Sequence, residues 1–467
     1  MAEVRNQLTH YDAIIIGSGQ AGNPLATALA AKGKRTAMIE RAAVGGTCGN
    51  YGCTPTKTMV ASAKVAYMAH RASEYGVKLA EVSIDMAAVR DRKRAMVKMW
   101  REGGEKSLKQ AKLVDLIRGE ASFVEPKQLR VQLSDGGERM LQADLIVIDT
   151  GLTASGPPLD GLENVPYLDN VSVMELGEVP EHLLVLGGGY VGLEFAQMFR
   201  RFGSRVIVIQ KGRQLLSTED VDIADEIAKI LREDGIDVLL ETRTESLVSS
   251  KNGVRLIVTV KGQSRVLEGT HLLVATGRRP NTDKLNLQAA GIATDDLGYI
   301  RVNDRLETGV PGVFAVGDVK GGPAFTHVSY DDYRVLNANL LEGGSRSIAG
   351  RMLPYCVFID PQLGRIGLSE TQATKQGRKV RVAKLPMSSV ARAIETGQTR
   401  GFMKALVDAK TEEIVGAAIL GEDGGELMSM IQLAMMGKLK YTELQDAILA
   451  HPTLAESLNN LFGSFQT

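Results

Sequence analysis

A strand, a glycine turn, a helix and a second strand occur twice in this chain, in the same order. Residues 12–16 (DAIII) are apolar and β-branched, as a short buried strand requires. The turn Gly17-x-Gly19-x-x-Gly22 follows, then an Ala-rich helix to about Lys32 and a strand over 35–40 (RTAMIE). From residue 183 the strand LLVLG leads into Gly187-x-Gly189-x-x-Gly192, a helix (LEFAQMFRRFG) and the strand RVIVIQ. Each half is a βαβ unit, which demands a parallel sheet with a right-handed crossover. The expected fold class is therefore α/β, with two Rossmann-like units. The chain's 50 glycines gather in such turns and form no repeat, which points to close approach of backbone to something bound.

The remaining sequence accounts for more than these units. At about 100–200 residues per domain, 467 residues suggest about three domains. A polar helical stretch (about 85–112) and strand-like segments (113–148) lie between the two units. Beyond a composition shift at Gly343-Gly344, strands (YCVFI, VRVAKL, GFMKALVD, EIVGAAIL) give way to helices over 424–436 and 442–449, an α+β region. The tail, 451–467, carries Leu454, Leu458, Leu461, Phe462 and Phe465 and is expected to dock on the protein.

Charge and composition exclude several classes of function. Formal net charge is zero, so no basic field draws nucleic acid. No apolar run approaches the ~18 residues of a membrane helix. Residues 1–10 (MAEVRNQLTH) lack the apolar centre of a signal peptide, and the expected compartment is the cytosol.

A glycine turn between strand and helix lets backbone N–H groups and the helix N-terminus meet a pyrophosphate. Glu40 and Gln210 hold equivalent positions, each 23 residues past the first glycine of its turn. A carboxylate at that strand end accepts hydrogen bonds from a ribose 2′-hydroxyl. In the second unit the acid is gone, and Lys211 and Arg213 follow. A ribose 2′-phosphate is repelled by an acid and favoured by cations, so the second site reads as preferring NADPH over NADH. The plainer reading is two cations on a solvated loop.

Cys48 and Cys53 stand four residues apart in GGTCGNYGCTPTK, at or near the start of a helix over about 54–70. A helix N-terminus stabilises a thiolate, the nucleophile of disulfide exchange. Zinc is the rival reading, yet no second Cys/His pair stands nearby in sequence. A structural pair is the third. Cys356, in an apparent strand, reads as a buried inert thiol. Asp318, after the strand VFAV and Gly317, suits a ribityl or ribose hydroxyl, or a plain turn. His451 and Glu456, in HPTLAE, can form an acid–base pair near neutral pH, or simply lie at the surface.

Two glycine turns, a CxxxxC pair and a terminal His–Glu pair together resemble the pyridine nucleotide–disulfide oxidoreductases, over essentially the whole chain. The resemblance implies FAD at Gly17, Gly19, Gly22, Glu40, Gly46, Thr47, Asp318 and Gly277. It implies a nicotinamide cofactor at Gly187, Gly189, Gly192, Gln210, Lys211 and Arg213, with Tyr190 shielding the flavin. Lys57 and Glu194 match a pair beside flavin and nicotinamide, Cys48 the interchange thiol, Cys53 the flavin-facing thiol, and His451 the acid–base residue held by Glu456. In that family the histidine comes from the partner subunit, which implies a homodimer. The implied domains are a discontinuous FAD domain (1–150 and 275–347), an NAD(P) domain (151–274) and a dimerisation domain (348–467).

Within the family, GGPAFTHVSYDDYRV, VFIDPQLGRIGLSE and HPTLAESLNNLF are similar to the mercuric reductase-like branch, and most of all to bacterial reactive-chlorine-resistance flavoproteins. These reduce hypothiocyanous acid and copper(II), so a small oxidant or thiophilic metal ion is the implied substrate. The terminal vicinal cysteines of mercuric reductases are missing, and Gln210 departs from the acid of dihydrolipoamide dehydrogenase. The family's ATG before the second unit reads Asp149-Thr150-Gly151 here. Dihydrolipoamide dehydrogenase and a flavin-bound redox sensor without turnover are the alternative readings.

Overall fold

A computed structural model describes residues 8–251 and 253–465. Residues 1–7 of the polar N-terminal stretch and the last two tail residues lie outside them. The described chain divides into two compact units. One comprises the residues up to Thr58, Ala88–Ser155 and Gly277–Arg351; the other Met59–Ala87, Gly156–Thr276 and the residues from Met352.

In the first unit, the strand Thr9–Ile16 lies between Thr36–Glu40 and Glu138–Ile148, parallel to both, and Val313–Ala315 extends the sheet. The long strand Val114–Glu125 pairs parallel with Thr36–Glu40, then continues antiparallel with Gln128–Leu133. Strand residues alternate between two cores, because successive side chains point to opposite faces. Ile14, Ile16, Ile146 and Ile148 pack on one face with Phe123. Ala13, Ile15 and Val147 pack on the other against Leu25 and Leu29 of the helix Gly22–Ala31. Burial on both faces explains the unbroken apolar run DAIII.

The second unit holds a four-stranded parallel sheet, ordered His271–Val274, His182–Leu186, Arg205–Ile209, Ile236–Leu239. It also holds a three-stranded antiparallel sheet (Thr242–Ser250, Gly253–Val260, Gln263–Gly269). A five-stranded antiparallel sheet completes it, ordered Tyr355–Val357, Gln362–Gly367, Ile414–Gly421, Phe402–Asp408, Val380–Pro386.

The tail docks as expected. Leu458, Leu461 and Phe462 of the helix Ser457–Gly463 are fully buried on this last sheet. Each such side chain contributes about 1.5–3 kcal/mol. Lys404 is also buried there, and Asp220, Asp222 and Glu370 surround its ammonium at 2.9, 2.9 and 2.5 Å. A buried cation without such partners would be prohibitively costly.

Three expectations need correction. The strand Gln362–Gly367 and the helix Glu370–Lys375 are additional elements. The expected helix at 442–449 is the shorter Tyr441–Gln445. Cys356 is half-buried, because its strand is an edge of the five-stranded sheet, and its sulfur lies 3.7 Å from Gln362 Oε1. Among the described residues, no helix is long and apolar enough to cross a membrane.

Candidate active site

The strand Thr9–Ile16 runs into Gly17, whose φ of 101° only glycine adopts readily. A Cβ there would lie 2.3 Å from the Asp149 carbonyl oxygen. One at Gly19 would lie 2.6 Å from Asp149 Oδ2, one at Gly22 2.6 Å from the Gly17 carbonyl, and one at Gly46 2.9 Å from the Gly19 Cα. The result is a cradle of bare backbone at the head of a ten-residue helix. Two buried polar atoms beside it, Thr150 Oγ1 and Asn23 Oδ1, have no protein hydrogen-bond partner. Both features fit a dinucleotide diphosphate. Glu40 ends the second strand as expected, and its carboxylate accepts from Ser18 N–H (3.0 Å), Ser18 Oγ–H (2.6 Å) and Ala42 N–H (2.8 Å).

The cysteine segment is fastened to this turn. Gly45 N–H donates to the Ser18 carbonyl (3.1 Å), and Gln20 Nε2 to the Gly45 carbonyl (3.2 Å). Cys53 opens the helix Cys53–His70, as the sequence predicts. Cys48 instead sits on a separate helix, Gly46–Tyr51, because Gly52 breaks the run with φ −129° and ψ −112°.

Both cysteines are free thiols; Cys48 is half-buried and Cys53 exposed. The Cys48 thiol is pushed up, first by its contact with the Cys53 sulfur and then by burial, while Thr326 and Lys57 pull it down. Lys57 stands one turn along the helix from Cys53.

Four residues escaped the sequence reading: Thr326, Asn50, Arg101 and Arg278. Thr326, first residue of the helix Thr326–Leu341, puts its hydroxyl 3.3 Å from the Cys53 sulfur. Asn50 donates to the carbonyls of Val44 (2.9 Å) and Gly46 (3.0 Å) and accepts from Arg101 Nε (2.8 Å), which anchors the short cysteine helix. Asp318 pairs with Arg278 at 3.2 Å, the residue after Gly277. Burial pushes the Asp318 carboxyl up. Neither Thr326 nor Arg101 belongs to a local motif that could have revealed it.

The second unit repeats the glycine cradle. A Cβ at Gly187 (φ 118°) would lie 2.4 Å from the Ala275 carbonyl, and one at Gly192 2.2 Å from the Gly187 carbonyl. Gly189 precedes the helix Tyr190–Phe202, which Tyr190 opens. Gln210 Oε1 accepts from Gly188 N–H at 3.0 Å. Lys211 and Arg213 are exposed and, among the described residues, form no ion pair. Glu194 is buried and accepts from Phe358 N–H at 2.9 Å. His451 Nδ1 lies 2.9 Å from Glu456 Oε2, in an exposed position. Lys57 and the cysteines thus belong to one unit, and Glu194 and the His451–Glu456 pair to the other.

The sequence matches the family described as pyridine nucleotide-disulphide oxidoreductase over residues 11–332, and that family's dimerisation domain over 353–462. It is similar to the probable pyridine nucleotide-disulfide oxidoreductase RclA of Escherichia coli (strain K12), with 39% identity over 459 residues, 97% of this chain and 99% of that protein. A mercuric reductase of Staphylococcus aureus is 34% identical over 448 residues, 96% of this chain and 81% of that protein. The solved Cu(II) complex of the HOCl-induced flavoprotein disulfide reductase RclA from Escherichia coli has a TM-score of 0.90 at 38% identity, covering 98% of this chain and 99% of that one. An α/β chain with two Rossmann-like units, a C-terminal dimerisation domain and full-length relatives of this kind belongs to the pyridine nucleotide-disulphide oxidoreductase family.

Proposed function

We propose that this protein is an FAD-dependent, NAD(P)H-oxidising reductase that works as a homodimer and delivers electrons through Cys48 and Cys53 to a small oxidant or thiophilic metal ion. The observation that carries the reading is the Cys48–Cys53 pair, stitched directly to the first glycine cradle. In this reading FAD occupies a domain of residues 1–150 and 275–347, NAD(P)H a domain of 151–274, and residues 348–467 make the dimer. Gly17, Gly19, Gly22, Glu40, Gly46, Thr47, Gly277 and Asp318 hold FAD. Gly187, Gly189, Tyr190 and Gly192 hold the nicotinamide cofactor. The absence of an acid at Gln210, with Lys211 and Arg213 exposed beside it, supports NADPH.

When bound, the flavin supplies two-electron transfer between the nicotinamide and the disulfide. The chain's residues manage protons and sulfur. In the reduced pair, the neighbouring Cys53 sulfur and burial raise the Cys48 thiol, and a base that takes up its proton would help release the nucleophile. His451, oriented by Glu456, suits that task and would come from the second subunit. With hypothiocyanous acid, Cys48 attacks its sulfur and releases water, and Cys53 then displaces thiocyanate and gives up its proton as the disulfide forms; with copper(II), two ions each take one electron as the two thiols lose their protons. Two thiols lose one electron pair and the acceptor gains it. Lys57 favours the thiolate through its charge, and a Lys57–Glu194 pair belongs to the same reading. Hypothiocyanous acid and copper(II) lead as acceptors, because the chain is similar along its whole length to RclA-type flavoproteins, one of them solved as a Cu(II) complex.

The test is stopped-flow oxidation of the NADPH-reduced protein by hypothiocyanous acid, copper(II), lipoamide and oxidised glutathione. Hypothiocyanous acid or copper(II) is expected to react at least about 100-fold faster than the other two, a gap of about 2.7 kcal/mol. Cys48→Ser is expected to keep its flavin and lose this turnover; equal slow rates with all four acceptors reject the reading.

A further inference from the structure

Asp149 ends the strand Glu138–Ile148 directly beneath the first glycine cradle. Its carboxyl is enclosed by three glycines. Cβ atoms at Gly19, Gly22 and Gly317 would lie 2.6, 3.0 and 2.8 Å from its oxygens. It is buried, and its carboxyl accepts one protein hydrogen bond, from Gly22 N–H at 2.7 Å. Among the described residues it has no cationic partner. The neighbouring groups do not supply one. Glu40 approaches from the strand Thr36–Glu40, on the far side of Thr9–Ile16, and is bound to Ser18 and Ala42. Asp318, in the turn Gly317–Lys320, is paired with Arg278. Asp332, on the helix Thr326–Leu341, is paired with Lys320 (3.2 Å) and Arg351 (2.7 Å). The helix Gly22–Ala31 adds no charged side chain, only the weak positive end of its dipole. Arg278, Lys320 and Arg351 are thus each paired with another acid, and three acids face a fourth.

We propose that Asp149 is a proton-carrying positioning residue for the first dinucleotide site, holding the glycine turn in its neutral form and loosening the bound diphosphate when ionised. The inference rests on the reading of that turn as the FAD site. Burial, followed by repulsion from Asp318, Asp332 and Glu40, holds the Asp149 carboxyl well above the usual carboxylate range. A diphosphate above the turn adds negative charge, so bound dinucleotide and the Asp149 proton stabilise each other. The sign follows from the raised position of this group. Its proton is retained in the folded protein above the ordinary carboxylate range near pH 4, and lost as pH rises through the folded value.

The experiment measures FAD release from the purified holoprotein, by flavin fluorescence on dilution, from neutral to alkaline pH. It compares the natural chain with Asp149→Asn and with Asp149→Ala, which copies Ala275 of the second turn. In the natural chain the FAD Kd is expected to rise by up to about tenfold per pH unit once Asp149 ionises. In both neutral variants that step vanishes, and Asp149→Asn matches the natural chain at the low end. A step shared by all three chains, or no step in the natural one, overturns the proposal. So does weak FAD binding by Asp149→Asn at the low end, because that variant is neutral and keeps an acceptor for Gly22 N–H. A natural chain that binds no FAD at any pH instead sinks the assignment of the first turn.

Discussion

In the first glycine turn the loop glycine presses on the carbonyl of Asp149; in the second, Gly187 presses on that of Ala275 at almost the same distance. The parallel extends further. Ser18 N–H donates to Glu40, and Gly188 N–H donates to Gln210. Backbone geometry is therefore common to both turns, while charge is not. The first carries two carboxyl groups at positions where the second carries an amide and a methyl group. Glycine sets the shape because steric limits allow nothing else. The residue at the strand end and the one after the returning strand remain free to set the electrostatics. Under the proposed function, this difference falls between a site for a resident dinucleotide and a site for an exchanging one.

The largest break in the comparison should come from glycine. Gly17→Ala is expected to yield protein without flavin, a loss of at least about 100-fold in affinity, since strain of about 1–3 kcal/mol adds to a direct clash. Gly187→Ala should keep the yellow flavin and lose its reduction by NADPH. Visible absorbance before and after anaerobic NADPH separates the two, and a flavin-free Gly187→Ala protein would show that the turns are not independent. A smaller effect is expected from Gln210→Glu, which makes the second turn resemble the first. Steady-state kinetics should show the NADPH-to-NADH preference falling about tenfold, or about 1.4 kcal/mol. An unchanged ratio would locate the phosphate selectivity elsewhere. The mildest change is Ala275→Asp. It should raise the KM for NADPH about fivefold, increasingly so as pH rises, with flavin content unchanged. A KM that stays flat across pH would mean the second turn tolerates a buried acid that the first feels.

The parts of this molecule legible in its sequence are those whose chemistry is local. Both glycine turns, the Cys48–Cys53 spacing and the His451–Glu456 pair lie within a few residues, and a strand before or helix after each fixes its orientation. The apolar tail was readable because Leu458, Leu461 and Phe462 share one helical face. Thr326 was hidden because it meets Cys53 across 273 residues, and Arg101 because it meets Asn50 across 51. Neither has a periodicity or spacing that announces such a contact. Asp149 was visible as a departure from a motif, but its consequence depends on Asp318, Asp332 and Glu40 converging from three other elements. The helix Glu370–Lys375 is only six residues long, too short for a reliable periodic signature, and its capping box was overlooked.

Gly52 separates the helix bearing Cys48 from the one bearing Cys53, with backbone angles outside the usual basins for other residues. Gly52 also opens the second helix's hydrogen bonding, its carbonyl accepting from Thr56 N–H at 3.0 Å. The anchor from Arg101 through Asn50 limits how far the shorter helix travels. Under the proposed function, any change in the separation of Cys48 and Cys53 falls on this one break, since each sulfur rides on its own helix.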